Sequence, residues 1–243
     1  MDEILRNDHA FSSPRPRVRK LKGEQGRNPY DGLRPWSAIT HGAGILLGIL
    51  GAVLLLIRAS CVGGALRVTV FAVYSASMIA LYTASTLYHC VYSSVAGRMN
   101  LRRIDHASIY LLIAGSYTPI CLLSLRGPLG WALFGIIWGL ALAGIILSVV
   151  WIMAPRWLTA GIYLAMGWMA IFAIYPLSQV LPSSGMALLL LGGILYTVGG
   201  VLYGLKWPGR NNPRFGCHEI FHLFILAGSI CHFLMMYQVV VFA

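Results

Sequence analysis

The sequence is poor in acidic residues. Only 7 of its 243 residues are Asp or Glu, and after Asp31 only Asp105 and Glu219 carry a carboxylate. Charged residues of both signs make up 10% of the chain, whereas hydrophobic residues make up 58%. This balance excludes an ordinary soluble domain and indicates an integral membrane protein. Because the net charge of +11 arises mainly from missing carboxylates, we expect no nucleic-acid partner.

Basic residues lie almost only at the ends of apolar stretches, and these stretches are long enough to cross the hydrocarbon core as α-helices. We therefore predict an all-α, polytopic bundle of seven transmembrane helices over residues 36–243. The "PSSG" segment at 182–185 is expected to separate the fifth helix from the sixth. The predicted spans are 37–57, 68–92, 104–125, 129–152, 157–181, 185–205 and 217–242.

The positions of Lys and Arg predict the orientation of the bundle. Fifteen of the 18 lie in the N-terminal segment and in the loops on its side of the membrane, against Arg58, Arg67 and Arg126 on the other. The positive-inside rule then predicts a multi-pass protein of the cell membrane with a cytoplasmic N-terminus and an outer C-terminus. Residues 1–35 form a polar, basic cytoplasmic tail that we expect to be disordered, without the apolar stretch of a signal peptide.

The five cysteines do not suggest a disulfide framework. Cys90 and Cys217 are predicted on the reducing cytoplasmic side, and Cys61 is the one clear candidate outside. Free thiols are therefore the expectation.

Several polar side chains fall at one predicted depth in the membrane. His218 and His222, in "HEIFH", are one helical turn apart at the start of the seventh span. His89 and Ser85 close the second span in "STLYHC", and Asp105 opens the third in "RRIDHASIY". A charge at the centre of a membrane helix costs roughly 2.5 to 3.5 kcal/mol, so such residues call for a reason.

Three histidines from two helices predict a zinc site. Three neutral imidazoles leave one tetrahedral position open to water, which a nearby carboxylate can hold or deprotonate. Ordinary hydrogen bonds between packed helices are the alternative use of the same residues.

"HEIFH" also matches the H-E-x-x-H signature of soluble zinc proteases. That layout needs Glu219 as the base and a further ligand downstream, but no Asp or Glu follows Glu219. The third predicted ligand lies upstream instead, at His89. We therefore interpret Glu219 as an acid that the helix dipole favours at a helix N-terminus.

Three further histidines have weaker links to the site. His41 lies at the same end of the first span and is a candidate contact of the zinc ligands. His106 points about 100° away from Asp105, which favours a solvated or hydrogen-bonding role. His232 lies about 15 Å beyond His222 along the helix, so we expect it to make an interhelical hydrogen bond and not to bind the same metal.

The motifs around these residues resemble the hemolysin III family of bacteria, which is related to the progestin and adipoQ receptors and more distantly to alkaline ceramidases. The resemblance rests on Ser85-x3-His89, on "RRIDHASIYLLIAGSYTPI" and on "HEIFHLFILAGSICHF", and it covers the chain from about Trp36 onward. It implies a seven-helix bundle in which His89, His218 and His222 bind zinc near the cytoplasmic face. It also implies that Asp105 holds a zinc-bound water, with Ser85 close beside it.

Three kinds of function fit these predictions. A zinc-dependent hydrolase would cleave an amide or ester bond of an inner-leaflet lipid, with Asp105 as general base and Ser85 supporting the water or the oxyanion. A receptor, sensor or membrane-homeostasis protein would use the zinc as a structural clip. A pore-forming cytolysin fits the family name, although spans four to six contain no charged residue or histidine to line a lumen.

Other membrane functions are disfavoured. The seventh span has no lysine for a retinal Schiff base, and no carboxylate is predicted near mid-membrane for a proton-coupled transporter. The small-residue pairs Gly44-x3-Gly48 and Gly135-x3-Gly139 allow close helix packing, within the bundle or in a homo-oligomer.

Overall fold

The structure is a computed structural model that describes residues 33–209, 212 and 215–243. Within these residues there is no β-strand, and seven helical segments are long and apolar enough to cross a membrane. The predicted all-α, multi-pass fold is therefore confirmed. The basic tail predicted over 1–35 lies almost wholly outside the described residues.

Eight α-helices make the seven spans because the fifth span is interrupted. A π-helical segment, Ile120–Leu125, extends the third span, a 3-10 segment, Trp168–Ala173, joins the two halves of the fifth, and a short 3-10 turn, Val240–Phe242, follows the last helix. The α-helices are α1 Pro35–Val62, α2 Ala65–Cys90, α3 Val95–Pro119, α4 Gly127–Val150, α5 Arg156–Gly167, α6 Ile174–Val180, α7 Ser183–Leu205 and α8 Cys217–Gln238.

The third span begins at Val95, nine residues before its predicted start at 104. The Ser94 hydroxyl caps the new start by accepting a hydrogen bond from a first-turn amide. Arg98 is only 1% exposed, and its guanidinium donates to the backbone carbonyls of Tyr88 and Val91 at the end of α2. These carbonyls compensate part of the cost of burying the Arg98 charge at the start of the helix.

The fifth span is not the continuous helix that the sequence predicted over 157–181. At its interruption the Tyr117 hydroxyl of α3 accepts a hydrogen bond from the Ala170 amide at 2.7 Å and donates to the Gly167 carbonyl at 2.6 Å. The Trp168 indole donates to the Thr197 hydroxyl of α7 at 2.9 Å. Side chains of neighbouring helices thus form hydrogen bonds with backbone groups that the break leaves without helical partners. Such bonds are needed because unpaired backbone groups are costly inside a membrane.

The bundle packs along the chain order, with α1 on α2, α2 on α3 and α7 on α8, and α1 also packs on α8. A Cβ added at Gly44 would collide with the Tyr82 ring, and one at Gly48 would press on α2. This glycine pair therefore serves packing inside the bundle. Gly135 and Gly139 on α4 have no neighbouring side chain within 4 Å in the described part of the chain.

Candidate metal centre

The structure brings together the three histidines that the sequence predicted as ligands. His89 lies in the last turn of α2, and His218 and His222 lie in the first two turns of α8. One ligand atom of each lies within 4.8 Å of the others. The His218 Nε2 and the His89 Nε2 are 3.1 Å apart.

This trihistidine group suits a metal ion. A tetrahedral site with Zn–N bonds of 2.0 to 2.1 Å places its nitrogens about 3.3 Å apart, close to the separation of the His89 and His218 nitrogens. His89 and His222 are each 2% exposed, and the backbone of Ser37 is a hydrogen-bond partner of the His222 ring. A hydrogen bond at one imidazole nitrogen fixes the orientation of the ring and leaves the other nitrogen for a metal. The group can therefore hold a metal ion.

Asp105 and Ser85 lie beside the trihistidine group without belonging to its set of mutually close ligand atoms. Asp105 is in the first half of α3, and its carboxyl group shares a hydrogen bond with the Ser85 hydroxyl of α2. Both side chains line the same cavity as His218 and His222. The arrangement therefore places a carboxylate and a hydroxyl next to the group that can hold a metal.

His41 contacts one of the three histidines directly. Its ring stacks on the His222 ring with 3.7 Å between centroids and 23° between planes. The Tyr82 ring meets His41 edge-on, with 5.0 Å between centroids. The sequence indicated a contact at this level but gave no sign of ring stacking.

The first turn of α8 is tied to both α1 and α2. Glu219 is 1% exposed, and its Oε1 accepts from the Arg34 guanidinium at 3.0 Å and from the Ser37 hydroxyl at 3.3 Å. Its Oε2 accepts from the Gly216 amide at 2.8 Å, as expected of an acid at a helix N-terminus. The backbone amide of Arg34 donates to the His89 carbonyl at 3.1 Å. Sequence reasoning missed Arg34, because one more arginine at the end of a basic tail gives no signal.

The other two histidines lie apart from the trihistidine group. The His106 carbonyl accepts a hydrogen bond from the Tyr163 hydroxyl, and the residue lines the cavity. His232 lies against α7, where the backbone of Leu189 is a hydrogen-bond partner of its ring, in agreement with the interhelical hydrogen bond that the sequence predicted. The ring also packs edge-on against Tyr196, above Gly192.

A cavity of about 460 Å³ extends from the trihistidine group between α3, the fifth span, α7 and α8. At the end where α8 begins, its walls carry polar side chains, namely Ser85, Asp105, His218 and His222. Farther along, the walls are mostly apolar, with residues such as Leu112, Ile113, Leu164, Ile171, Leu190 and Ile225. One end can support chemistry and the remainder can hold a hydrocarbon chain.

Fold and site together define a multi-pass membrane protein with a buried trihistidine group that can hold a metal ion. The family model described as "Haemolysin-III related" matches residues 35–233, which include the three histidines of the group. The chain belongs to this haemolysin-III-related family.

Individual relatives agree with the family match. "Hemolysin-3" of Bacillus cereus is 44% identical over 199 residues, covering 81% of this chain and 87% of the relative. "Hemolysin-3 homolog" of Bacillus subtilis is 42% identical over 197 residues, covering 81% and 89%. "ADIPOR-like receptor IZH2" of Saccharomyces cerevisiae is 31% identical over 84 residues, covering 30% and 26%. The predicted resemblance to hemolysin III proteins and their receptor relatives is confirmed.

Proposed function

We propose that the protein is a zinc-dependent hydrolase of an amide or ester bond in a membrane lipid. The observation that carries this proposal is a cavity that is lined by His218 and His222 of the trihistidine group, by Asp105 and by Ser85, and that continues into an apolar compartment. A lipid carbonyl can lie at the polar end while its chain occupies the rest.

His89, His218 and His222 would hold the zinc, since neutral imidazoles are common zinc ligands and three of them leave a position open. When bound there, zinc supplies a Lewis acid that polarises a carbonyl and makes water more acidic.

Asp105 is the general base of the proposed reaction. Its carboxylate takes a proton from the attacking water and returns it to the leaving amine or alcohol, so that a fatty acid and an amine or alcohol are formed. The Ser85 hydroxyl, which is hydrogen-bonded to Asp105, holds the carboxylate in one orientation. The apolar walls exclude bulk water from the chain and strengthen these polar interactions.

The proposed substrate comes from the inner leaflet. The excess of basic residues on one side supports a position of the beginning of α8, and with it of the trihistidine group, near the cytoplasmic surface. At that depth a scissile bond just below a lipid headgroup would reach Asp105.

The metal site is tested by elemental analysis of the purified protein. We expect about one zinc per chain, as for a single site with three protein ligands, and its loss in His89→Ala and in His222→Ala. His106→Ala is the matched control, because His106 lines the same cavity but lies outside the trihistidine group. Folded, monodisperse His89→Ala and His222→Ala proteins that keep the wild-type zinc content would refute the assignment.

The reaction is tested by mass spectrometry of fatty acids released from a lipid extract. We expect Asp105→Asn to retain zinc while its rate falls by roughly 10²- to 10⁴-fold, because the general base is lost. Ile104→Ala, at the exposed neighbouring position, should keep the wild-type rate. If the wild-type protein releases no more fatty acid with zinc than after zinc removal, the hydrolase proposal fails.

A receptor with structural zinc is the second candidate function, and the name of the yeast relative favours it. In that case zinc removal would lower thermal stability while no product appeared.

The names of the two Bacillus relatives favour a cytolytic role, which release of a trapped dye from vesicles containing only the purified protein would reveal.

A further inference from the structure

The cavity has a closed end opposite the trihistidine group. Four lining residues form this end, and each lies farther from the trihistidine group than any other lining residue of its own span. They are Tyr117 of α3, Ile174 of the fifth span, Leu189 of α7 and His232 of α8. About one helical turn farther along the same elements, Leu177, Met235 and Met236 are fully buried in the core. A chain that enters from the polar end therefore meets packed side chains at this layer.

The His232 ring is held firmly in that layer. A Cβ added at Gly192 of α7 would collide with the His232 ring, so the ring of α8 sits directly over this glycine. In the same way the Tyr196 ring of α7 sits over Gly228 of α8. Thus α7 and α8 each pack one ring against a glycine of the other helix. This close packing leaves the His232 ring little room to move.

The distance from the trihistidine group to this end corresponds to a defined chain length. Ten residues separate His222 from His232 on α8, which is about 15 Å at 1.5 Å per residue. An extended hydrocarbon advances about 1.3 Å per carbon, given a C–C bond near 1.5 Å and tetrahedral angles, so about 12 carbons span this distance.

The volume is compatible with a chain of this length. A cavity of about 460 Å³ lies within the 300 to 1,000 Å³ that is typical of pockets for small ligands.

We propose that the cavity accepts one acyl chain of about 12 carbons and that His232 sets this limit. The inference rests on the lipid-binding part of the proposed function and not on hydrolysis. His232 is a specificity-determining residue, remote from the reacting carbonyl.

The test is competition among free fatty acids for the delipidated protein, with the bound species counted by native mass spectrometry. Saturated, straight-chain acids from decanoic to eicosanoic are offered together at equal concentration. We expect one acid per chain and a preference for tetradecanoic over eicosanoic acid of about tenfold, since overfilling a packed site is unfavourable.

Two variants change the end of the cavity from different helices. His232→Ala removes a ring from the closed end and should shift the preferred acid by about two carbons toward longer chains. Leu189→Trp adds volume from α7 and should shift it toward shorter chains. Ile230→Ala is the matched control on α8, because Ile230 is exposed and does not line the cavity.

Equal binding of tetradecanoic and eicosanoic acid by the wild-type protein would overturn the length limit. So would a His232→Ala or Leu189→Trp profile identical to that of Ile230→Ala, or failure of every acid to bind. The outcome is separable from the hydrolase test. A sharp length limit without fatty-acid release would refute hydrolysis alone, and release without a limit would refute the length limit, and with it the role of His232, but not hydrolysis.

Discussion

At the residue scale, His41 is the side chain best placed to control the orientation of a residue of the trihistidine group without belonging to that group. Its ring covers the face of His222 at 3.7 Å, and Tyr82 holds it from the side. A ring confined in this way restricts the orientation of its neighbour. Groups that orient a ligand typically change metal affinity by about 10- to 100-fold when they are removed.

We therefore predict that His41→Ala weakens zinc binding by about tenfold or more, because His222 loses the surface against which it packs. His41→Phe should remain close to the wild-type protein, since a flat ring is kept while the imidazole nitrogens are lost. Competition with a chelating dye measures both affinities. Equal affinities for the wild-type protein and His41→Ala would show that the stacking has no role in binding.

At the element scale, the interrupted fifth span depends on Tyr117. The hydroxyl of this one side chain satisfies the Gly167 carbonyl at the end of α5 and the Ala170 amide within the 3-10 segment. Both groups belong to a wall of the cavity. The local geometry of that wall therefore depends on a hydrogen bond from α3.

Tyr117→Phe removes the hydroxyl and leaves the ring. We predict a loss of about 1 to 3 kcal/mol in the free energy of unfolding, because a backbone amide and a carbonyl are left without a partner in an apolar setting. Thermal unfolding in detergent measures the loss, and faster amide hydrogen exchange over residues 167–173 would locate it. Tyr175→Phe in the same span is the control, since Tyr175 is largely exposed. Equal stability of the two variants would contradict this role of Tyr117.

The sequence predicted the helices better than it predicted their ends. Span number follows from the length of the apolar stretches, which the membrane thickness dictates. The early start at Val95 comes with hydrogen bonds from Arg98 of α3 to carbonyls at the end of α2, and the break after Gly167 with hydrogen bonds to Tyr117 of α3. Sequence periodicity carries no information about such partners.

For the trihistidine group too, the sequence predicted what the geometry of single helices determines and missed what the packing between helices determines. The spacing of His218 and His222 and the shared depth of His89 predicted that they would meet, because helix geometry determines both. The ion pair of Arg34 with Glu219 and the stacking of His41 could not be predicted, since they depend on how α1 packs against α8.

At the scale of the whole molecule, the trihistidine group lies where the first, second and last helices meet. Arg34 at the start of α1 binds Glu219 of α8 through its side chain and His89 of α2 through its backbone amide. A metal shared by His89 and the two histidines of α8 would add a further link between α2 and α8. Metal binding and the closure of the bundle at this end are therefore expected to stabilise each other.

The side of the membrane on which this end lies can be read from two native cysteines. Cys61 is in the last turn of α1 and Cys90 is the last residue of α2, and both are exposed. Because α2 crosses the membrane between them, they are predicted on opposite sides. The positive-inside rule predicts Cys61 outside and Cys90, next to His89, in the cytoplasm.

We therefore predict that a membrane-impermeant maleimide labels the protein in intact cells at Cys61 alone. Cys61→Ser should abolish this labelling, and Cys90→Ser should leave it unchanged until the membrane is permeabilised. The opposite pattern would place the trihistidine group at the outer surface. In that case the inner leaflet is the wrong source of substrate, and the positive-inside rule, which rests here on fifteen basic residues against three, does not hold for this protein.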